Sequence, residues 1–267
     1  MLAKVKIKDC KSILSKSGIG GVDFAVNPYT GCLHGCVYCY ATFMKKYSGH
    51  TERWGTFVDV KINAPEILDK NIHKAIGKDI SIGTVTDGYQ PVEKQYQITR
   101  RLLQRFAQIN TSVFIQTKSD LILRDLDIIS SMANAEVCWT ITTLDEEDRR
   151  VLEPGASPIR SRLDAMERFS SRNISVCAFL GPIMPFIDEQ RISKLITAVI
   201  EAGVRRIYFD RLNYAGSHAV ELRNALKKKY PEVARRITGN HDEYYQSLAP
   251  LVESLCKRAG IDLHLCY

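Results

Sequence analysis

Six short runs rich in β-branched and aromatic residues recur along this chain, at 22–26, 80–85, 113–117, 137–142, 176–180 and 207–209. Segments of helical periodicity separate them. A strand–helix alternation of this kind demands crossover connections, and crossovers make the strands parallel and the turns right-handed. A closed TIM barrel needs eight such units. Six predict an α/β chain folded as a partial, open (βα)₆ TIM-type barrel with parallel strands. Ile98, Leu102, Phe106 and Ile109 share one face of a helix expected to begin near Lys94, and Leu126, Ile129 and Met132 mark another. Ser157 reads as an N-cap with Pro158 at the first helical position, followed by Ile159, Leu163, Met166 and Phe169. Asp188 is expected to cap a helix through Val199. A further helix runs from Ser217 through Leu226, and a last one from about Asp242 to Ala259, stopped by Gly260. Residues 261–266 add a final strand, and 57–62 one extra strand after the first loop. One domain is expected over 1–267, with a core at about 20–230 and a C-terminal extension at about 240–267.

Composition matters here for what it excludes. No run of about 18 apolar residues suggests a membrane span, and the opening MLAKVKIKDC lacks the apolar core of a signal peptide. A cytoplasmic protein with no membrane partner is expected. Of eight cysteines, five stand alone, and Cys138 and Cys177 sit inside apolar runs as small core residues. A secreted disulfide framework is not expected. The net charge of +7 arrives in short basic pieces such as Lys45-Lys46 and Lys227 to Lys229. It favours an acidic partner, nucleic acid first; the competing reading is solvated helix faces.

A parallel barrel places its chemistry on the loops after strand C-termini. The first such loop, NPYTGCLHGCVYCYAT, carries Cys32, Cys36 and Cys39 as C-x₃-C-x₂-C. A structural zinc site wants four ligands. A cubane [4Fe–4S] cluster needs one protein ligand per iron, preferably thiolate. Three cysteines then serve three irons and leave the fourth open to a chelating small molecule. Gly31 and Gly35 permit the tight backbone. The zinc alternative adds His34 or a distant ligand, although His34 stands closer to its neighbouring cysteines than the usual knuckle spacing.

The cysteine spacing, together with "TDGYQPVEK", "IQTKSDLILRDLDII", "TITTLDEEDRRVLEPGASPIRSRLDAM" and "GPIMPF", resembles the radical S-adenosylmethionine (radical SAM) superfamily. Within it, the chain is similar to the branch that includes spore photoproduct lyase, from about Asn27 to Pro185. The resemblance implies a cofactor pair of a [4Fe–4S] cluster and S-adenosyl-L-methionine. It implies reductive cleavage of the latter to a 5′-deoxyadenosyl radical that abstracts hydrogen from a substrate, and an electron donor such as a flavodoxin or ferredoxin. It places Lys118 and Arg162 near the methionine carboxylate, and Thr86 and Thr140 at hydroxyl positions contacting methionine or ribose. Tyr38 and Tyr40 then border adenosine and the radical path as catalytic candidates. Asp87 is a polar contact for the cofactor and Gln90 for the substrate. Asp210 and Asn213, after the sixth strand, are substrate candidates, with local capping as the plainer reading of Asn213.

One departure limits the analogy. In spore photoproduct lyase a cysteine after the second strand returns hydrogen to the product radical. Alignment on "TVTD" puts Thr84 at that place, and a threonine O–H bond is too strong for that donation. A true spore photoproduct lyase is therefore not expected. Three function readings remain open. The first is a radical SAM enzyme acting on nucleic acid. The second applies the same chemistry to a peptide or small metabolite, and the third is a zinc-stabilised nucleic-acid-binding module without catalysis.

Overall fold

The computed structural model describes residues 3–213 and 218–267. In chain order its strands are β1 (Lys4–Lys8), β2 (Ser15–Lys16), β3 (Phe24–Val26), β4 (Tyr29–Thr30), β5 (Phe57–Lys61) and β6 (Asp79–Ile82). They continue as β7 (Ser112–Thr117), β8 (Asn134–Thr140), β9 (Ser175–Ile183), β10 (Arg206–Arg211) and β11 (Asp262–Leu265). The six expected runs are β3 and β6 to β10. The main sheet has the order β11-β10-β9-β8-β7-β6-β3-β2. Its ladders are parallel except for β2 against β3. Among the described residues β2 and β11 remain unpaired edges, so the barrel is open, as the unit count predicts.

Strand alternation sorts the side chains. Val113, Ile115, Val137, Trp139, Val176, Ala178, Ile207 and Phe209 are buried against helices, which present Ile98, Leu102, Phe106, Ile192, Leu195 and Val199. Each such large apolar side chain contributes about 1.5–3 kcal/mol when fully buried. The opposite positions, Ser112, Phe114, Gln116, Glu136, Phe179, Arg206 and Tyr208, line a cavity of about 860 Å³ in the lumen. Cys138 and Cys177 are fully buried register partners on β8 and β9, as expected of core residues.

Several local expectations change. The segment at 57–62 forms β5, yet outside the barrel: β5 pairs in parallel with β1 and antiparallel with β4 in a separate three-stranded sheet. The Lys/apolar alternation at the chain start is itself strand β1, tied to β5 by Lys8 and Asp59 at 2.6 Å. The helix expected near Lys94 is two, Glu93–Tyr96 and Ile98–Phe106, divided at Gln97 with φ 52°. The cause is Glu93, whose buried carboxylate accepts from the N–H groups of Thr99 and Arg100 and so starts the second helix afresh. Ile109 falls beyond that helix. Ser157 does not cap the helix Ile159–Ser170. Its hydroxyl donates to Asp120 Oδ1 at 2.7 Å, and Ile159 N–H instead donates to Glu146 Oε2. Asp188 caps the helix Glu189–Glu201 through Arg191 N–H, and the last helix spans Asp242–Ala259 with Gly260 at φ 67°. The expected helix start at Ser217 lies outside the described residues; the helix is described from His218 to Leu226.

Candidate functional site

The cysteine loop follows β4 and is held from three sides by the loops after β6, β7 and β8. Gln90, after β6, accepts from Leu33 N–H at 2.8 Å and donates to Gly31 C=O and to Thr86 Oγ1. Thr86 donates in turn to Gly31 C=O at 2.6 Å. Asp87 accepts from Tyr89 N–H, Thr117 Oγ1 and Lys118 N–H, and its Oδ2 lies 3.2 Å from His34 Nδ1. From beyond β8, Leu152 C=O accepts from Val37 N–H and Gly155 N–H donates to His34 C=O. Gly31 has φ 87°, and a Cβ there would meet Phe57 C=O at 2.6 Å; a Cβ on Gly155 would meet Leu33 C=O at 2.2 Å. Both contacts exclude a side chain.

This bracing brings Cys32, Cys36 and Cys39 to one small pocket of about 90 Å³ at the rim. Thr86, Asp87, Lys118 and Thr140 line it too, with Tyr40 and Thr84. Tyr40, Thr84 and Gln116 also line the lumen cavity, so the two spaces meet at these side chains. Among the described residues, no three His, Cys, Asp or Glu side chains gather closely enough to hold a single metal ion.

Electrostatics distinguishes the groups. Burial pushes the Cys32 thiol up to about 12, and the nearby Asp87 and Cys39 charges add to it. Burial also raises Cys36 and Cys39, while the Lys118 ammonium opposes the rise at both. Burial alone would lower Lys118, but the potential of Cys36, Glu153, Asp87 and Cys39 holds it above the ordinary lysine value. Its Nζ donates to Thr140 Oγ1 at 3.3 Å and lies 5.9 Å from the Tyr38 ring centre. No carboxylate among the described residues pairs with it within hydrogen-bond distance. Burial would raise Asp87, yet His34 and the N–H groups of Tyr89 and Lys118 hold it at about 2.

The remaining expected residues divide. Tyr38 is buried and donates to Glu153 Oε1. Tyr40 is exposed and donates to Thr84 C=O, while Thr84 Oγ1 accepts from Asn27 Nδ2 at 2.9 Å. Gln90 and Thr86 spend their polar groups on the cysteine loop. Arg162 is fully buried away from the pocket lining: it pairs with Glu153 at 2.6 Å and donates to Ser157 C=O and Thr140 C=O. Asp210 and Asn213 line a different cavity, of about 450 Å³, with Tyr245 and Tyr267. Sequence reasoning does not single out Glu153 or Trp54, and it considers His34 only as a zinc ligand; the structure sets His34 against Asp87. Glu153 reads as part of a turn in "EPG", and only the fold brings it to Tyr38 and Arg162.

A family model described as the Radical SAM superfamily matches residues 26–199. An uncharacterized protein of Methanocaldococcus jannaschii is 31% identical over 265 residues, covering 97% of each chain. An uncharacterized protein of Mycobacterium tuberculosis is 26% identical over 239 residues, 85% of this chain and 70% of that protein. Among solved structures, spore photoproduct lyase complexed with dinucleoside spore photoproduct superposes with a TM-score of 0.72 at 13% identity, over 98% of this chain and 82% of that one. Streptococcus suis SuiB bound to S-adenosylmethionine gives 0.59 at 15% identity, over 90% of this chain and 49% of that one. At such identities the structural likeness speaks to the fold alone.

Proposed function

The chain belongs to the radical SAM superfamily, and on that premise we propose that Cys32, Cys36 and Cys39 hold a [4Fe–4S] cluster with one iron free for S-adenosylmethionine. Membership implies an iron–sulfur cluster and reductive cleavage of S-adenosylmethionine; the cluster type, the ligand set and the substrate are the proposal. The observation that carries it is three thiols, Cys32 and Cys36 buried and Cys39 half-buried, lining one pocket beside an ammonium, Lys118, that has no carboxylate partner among the described residues. That donor set fits the cluster and its zwitterionic ligand. When bound, the two groups supply a 5′-deoxyadenosyl radical.

The protein's part is placement. Lys118 binds the methionine carboxylate through a charge-assisted hydrogen bond, and Thr140 orients Lys118. Thr86, Asp87 and Gln90 fix the cysteine loop and the turn that carries Lys118. Tyr38 lies outside the pocket lining and backs Lys118, its ring centre 5.9 Å from Nζ, and Glu153 with Arg162 holds the Tyr38 hydroxyl in place. Arg162 is therefore a positioning residue in this reading. Tyr40 and Thr84 stand where the thiol pocket meets the lumen, so the substrate occupies the 860 Å³ cavity, within the size range of small-molecule sites. Asp210 and Asn213 contact only a substrate large enough to reach the second cavity.

Nucleic acid is the substrate class favoured by the net charge of +7. An external one-electron donor, such as a flavodoxin or ferredoxin, is required. The test is anaerobic reconstitution with iron and sulfide, followed by reduction and S-adenosylmethionine. Brown protein that forms 5′-deoxyadenosine, and loses both properties on Cys36→Ala, is the expected result. Colourless protein that retains stoichiometric zinc would restore the zinc reading.

A further inference from the structure

Immediately after Cys39, the third cysteine of the loop, the chain forms a 3₁₀ helix, Tyr40–Met44, that runs on into the α-helical turn Lys45–Ser48. Side chains three apart eclipse in a 3₁₀ helix, and those four apart share a face in an α-helix. Tyr40, Phe43 and Tyr47 therefore fall in one line. They are 58%, 43% and 78% exposed. Their rings touch in sequence: Tyr40 and Phe43 stack at 6.4 Å, and Phe43 meets Tyr47 edge-on at 6.4 Å. The opposite side of the same segment is spent on packing, with Ala41 and Met44 set against Trp54 and Phe57. The aromatic line is thus not a core face left uncovered. It is a second, outward face made of three rings.

Its chemistry is specific. Lys45 and Lys46 lie between Phe43 and Tyr47, and no acidic residue occurs from Tyr40 to Thr51. The ridge begins at Tyr40, which borders both the thiol pocket and the lumen cavity. Exposed aromatic rings interleaved with cations match a partner with flat, unpaired π-faces and a regularly spaced negative backbone. A duplex hides its base faces in the stack, and an acidic peptide offers charge without them. We propose that Tyr40, Phe43 and Tyr47, with Lys45 and Lys46, form a docking strip for single-stranded nucleic acid that delivers the strand to the mouth of the lumen. This names the form and the landing place of the partner. It does not depend on the radical chemistry, because strand binding requires neither cluster nor S-adenosylmethionine.

The experiment is fluorescence anisotropy of the full chain, as purified, with labelled oligouridylate, oligothymidylate and a duplex of matched length. The single strands are expected to bind more tightly than the duplex. Phe43→Ala and Tyr47→Ala should each weaken single-strand binding at least about fivefold, the lower end of what one stacked base contributes. Lys45→Gln with Lys46→Gln should flatten the dependence of log K on log salt by about 1.4, two phosphate contacts at about 0.7 each. Thermal melts of these surface variants should match the parent. The same proteins are run against vesicles of anionic phospholipid and by size-exclusion chromatography. Absence of single-strand binding, or binding indifferent to all four substitutions, overturns the proposal. So does loss of vesicle binding or of self-association, in place of strand binding, in Tyr47→Ala: the ridge would then belong to a membrane or to a second copy.

Discussion

Lys118 is the residue on which the cofactor reading turns. Its ammonium sits among Cys36, Glu153, Asp87 and Cys39, which hold its proton on, while Thr140 Oγ1 is the acceptor found for it in the structure. Lys118→Ala should weaken S-adenosylmethionine binding to the reconstituted protein by about 1.5–3 kcal/mol, the range for a charged hydrogen bond. Arginine should restore part of it, since its planar fork differs in reach; calorimetric titration reads both. Unchanged affinity would return Lys118 to a loop cation. Arg162 and Glu153 form the opposite case, a charge pair with both partners fully buried. Arg162→Ala leaves the buried Glu153 carboxylate without its cation and should cost about 3–5 kcal/mol of stability, read by urea denaturation. Arg162→Met with Glu153→Gln should cost clearly less. Asp87 gives a pH signature. Its folded carboxyl titrates at about 2 against an ordinary 3.8. The stabilisation is therefore complete above about pH 4 and is lost as pH falls toward 2, amounting to about 2 kcal/mol. Asp87→Asn should remove that slope from the acid unfolding curve, and an unaltered slope would contradict the assigned burial.

At the scale of elements, the cysteine loop has little regular structure of its own and borrows its shape from three neighbours. Gly155 belongs to the loop after β8, yet its missing side chain makes room for Leu33 in the cysteine loop. Gly155→Ala should therefore push the two loops apart. Overpacking of this kind costs about 1–3 kcal/mol, and iron content after reconstitution should fall with it. Full iron loading in this variant would show that the loop holds its form without the contact. The small sheet of β1, β4 and β5 adds a second support, placing Phe57 under Gly31 and beside Trp54. His50 stacks on Phe57 at 4.0 Å and lies between Asp59 and Glu52. The sequence shows that element as a single inserted strand, because its partners lie far from it along the chain: β4 is only two residues long, and the alternation of β1 does not say which strand it joins.

For the whole molecule, the open sheet leaves a lumen whose lining mixes Glu136, Arg206 and Tyr208 with apolar faces. Among the described residues that lining contains no cysteine; Cys138 and Cys177 share the inward-facing register of Glu136 and Phe179 but are covered completely. In the proposed reading, a product radical formed there would face Tyr40 and Thr84, with no cysteine in the lumen lining. Anaerobic incubation of the reduced, reconstituted protein with S-adenosylmethionine and dinucleoside spore photoproduct should thus give 5′-deoxyadenosine without lesion loss. Multiple-turnover release of intact thymines would refute the inference from Thr84. Among the described residues no helix is long and apolar enough to cross a membrane.

What the sequence determined by itself was whatever depends on near neighbours. Runs of β-branched residues marked the six barrel strands, since strand propensity and side-chain alternation act within a few positions. Asp188 and Gly260 marked helix ends, because caps are made by adjacent residues. The C-x₃-C-x₂-C spacing placed three thiols on one short loop, and all three line one pocket. Only the tertiary structure decided what each distant polar group does. Gln90 is wholly spent bracing the loop, Thr86 braces it while also lining the thiol pocket, Arg162 is consumed by Glu153, and Asp210 with Asn213 lines another cavity. Ser157 was drawn from its cap by Asp120, and Glu93 broke a helix by capping the next. A buried polar atom takes whichever partner the packing brings within about 3 Å; for Thr86, Gln90 and Ser157 that partner lies tens of residues away, and for Arg162 and Glu93 it lies across a turn. Local pattern carries no record of it.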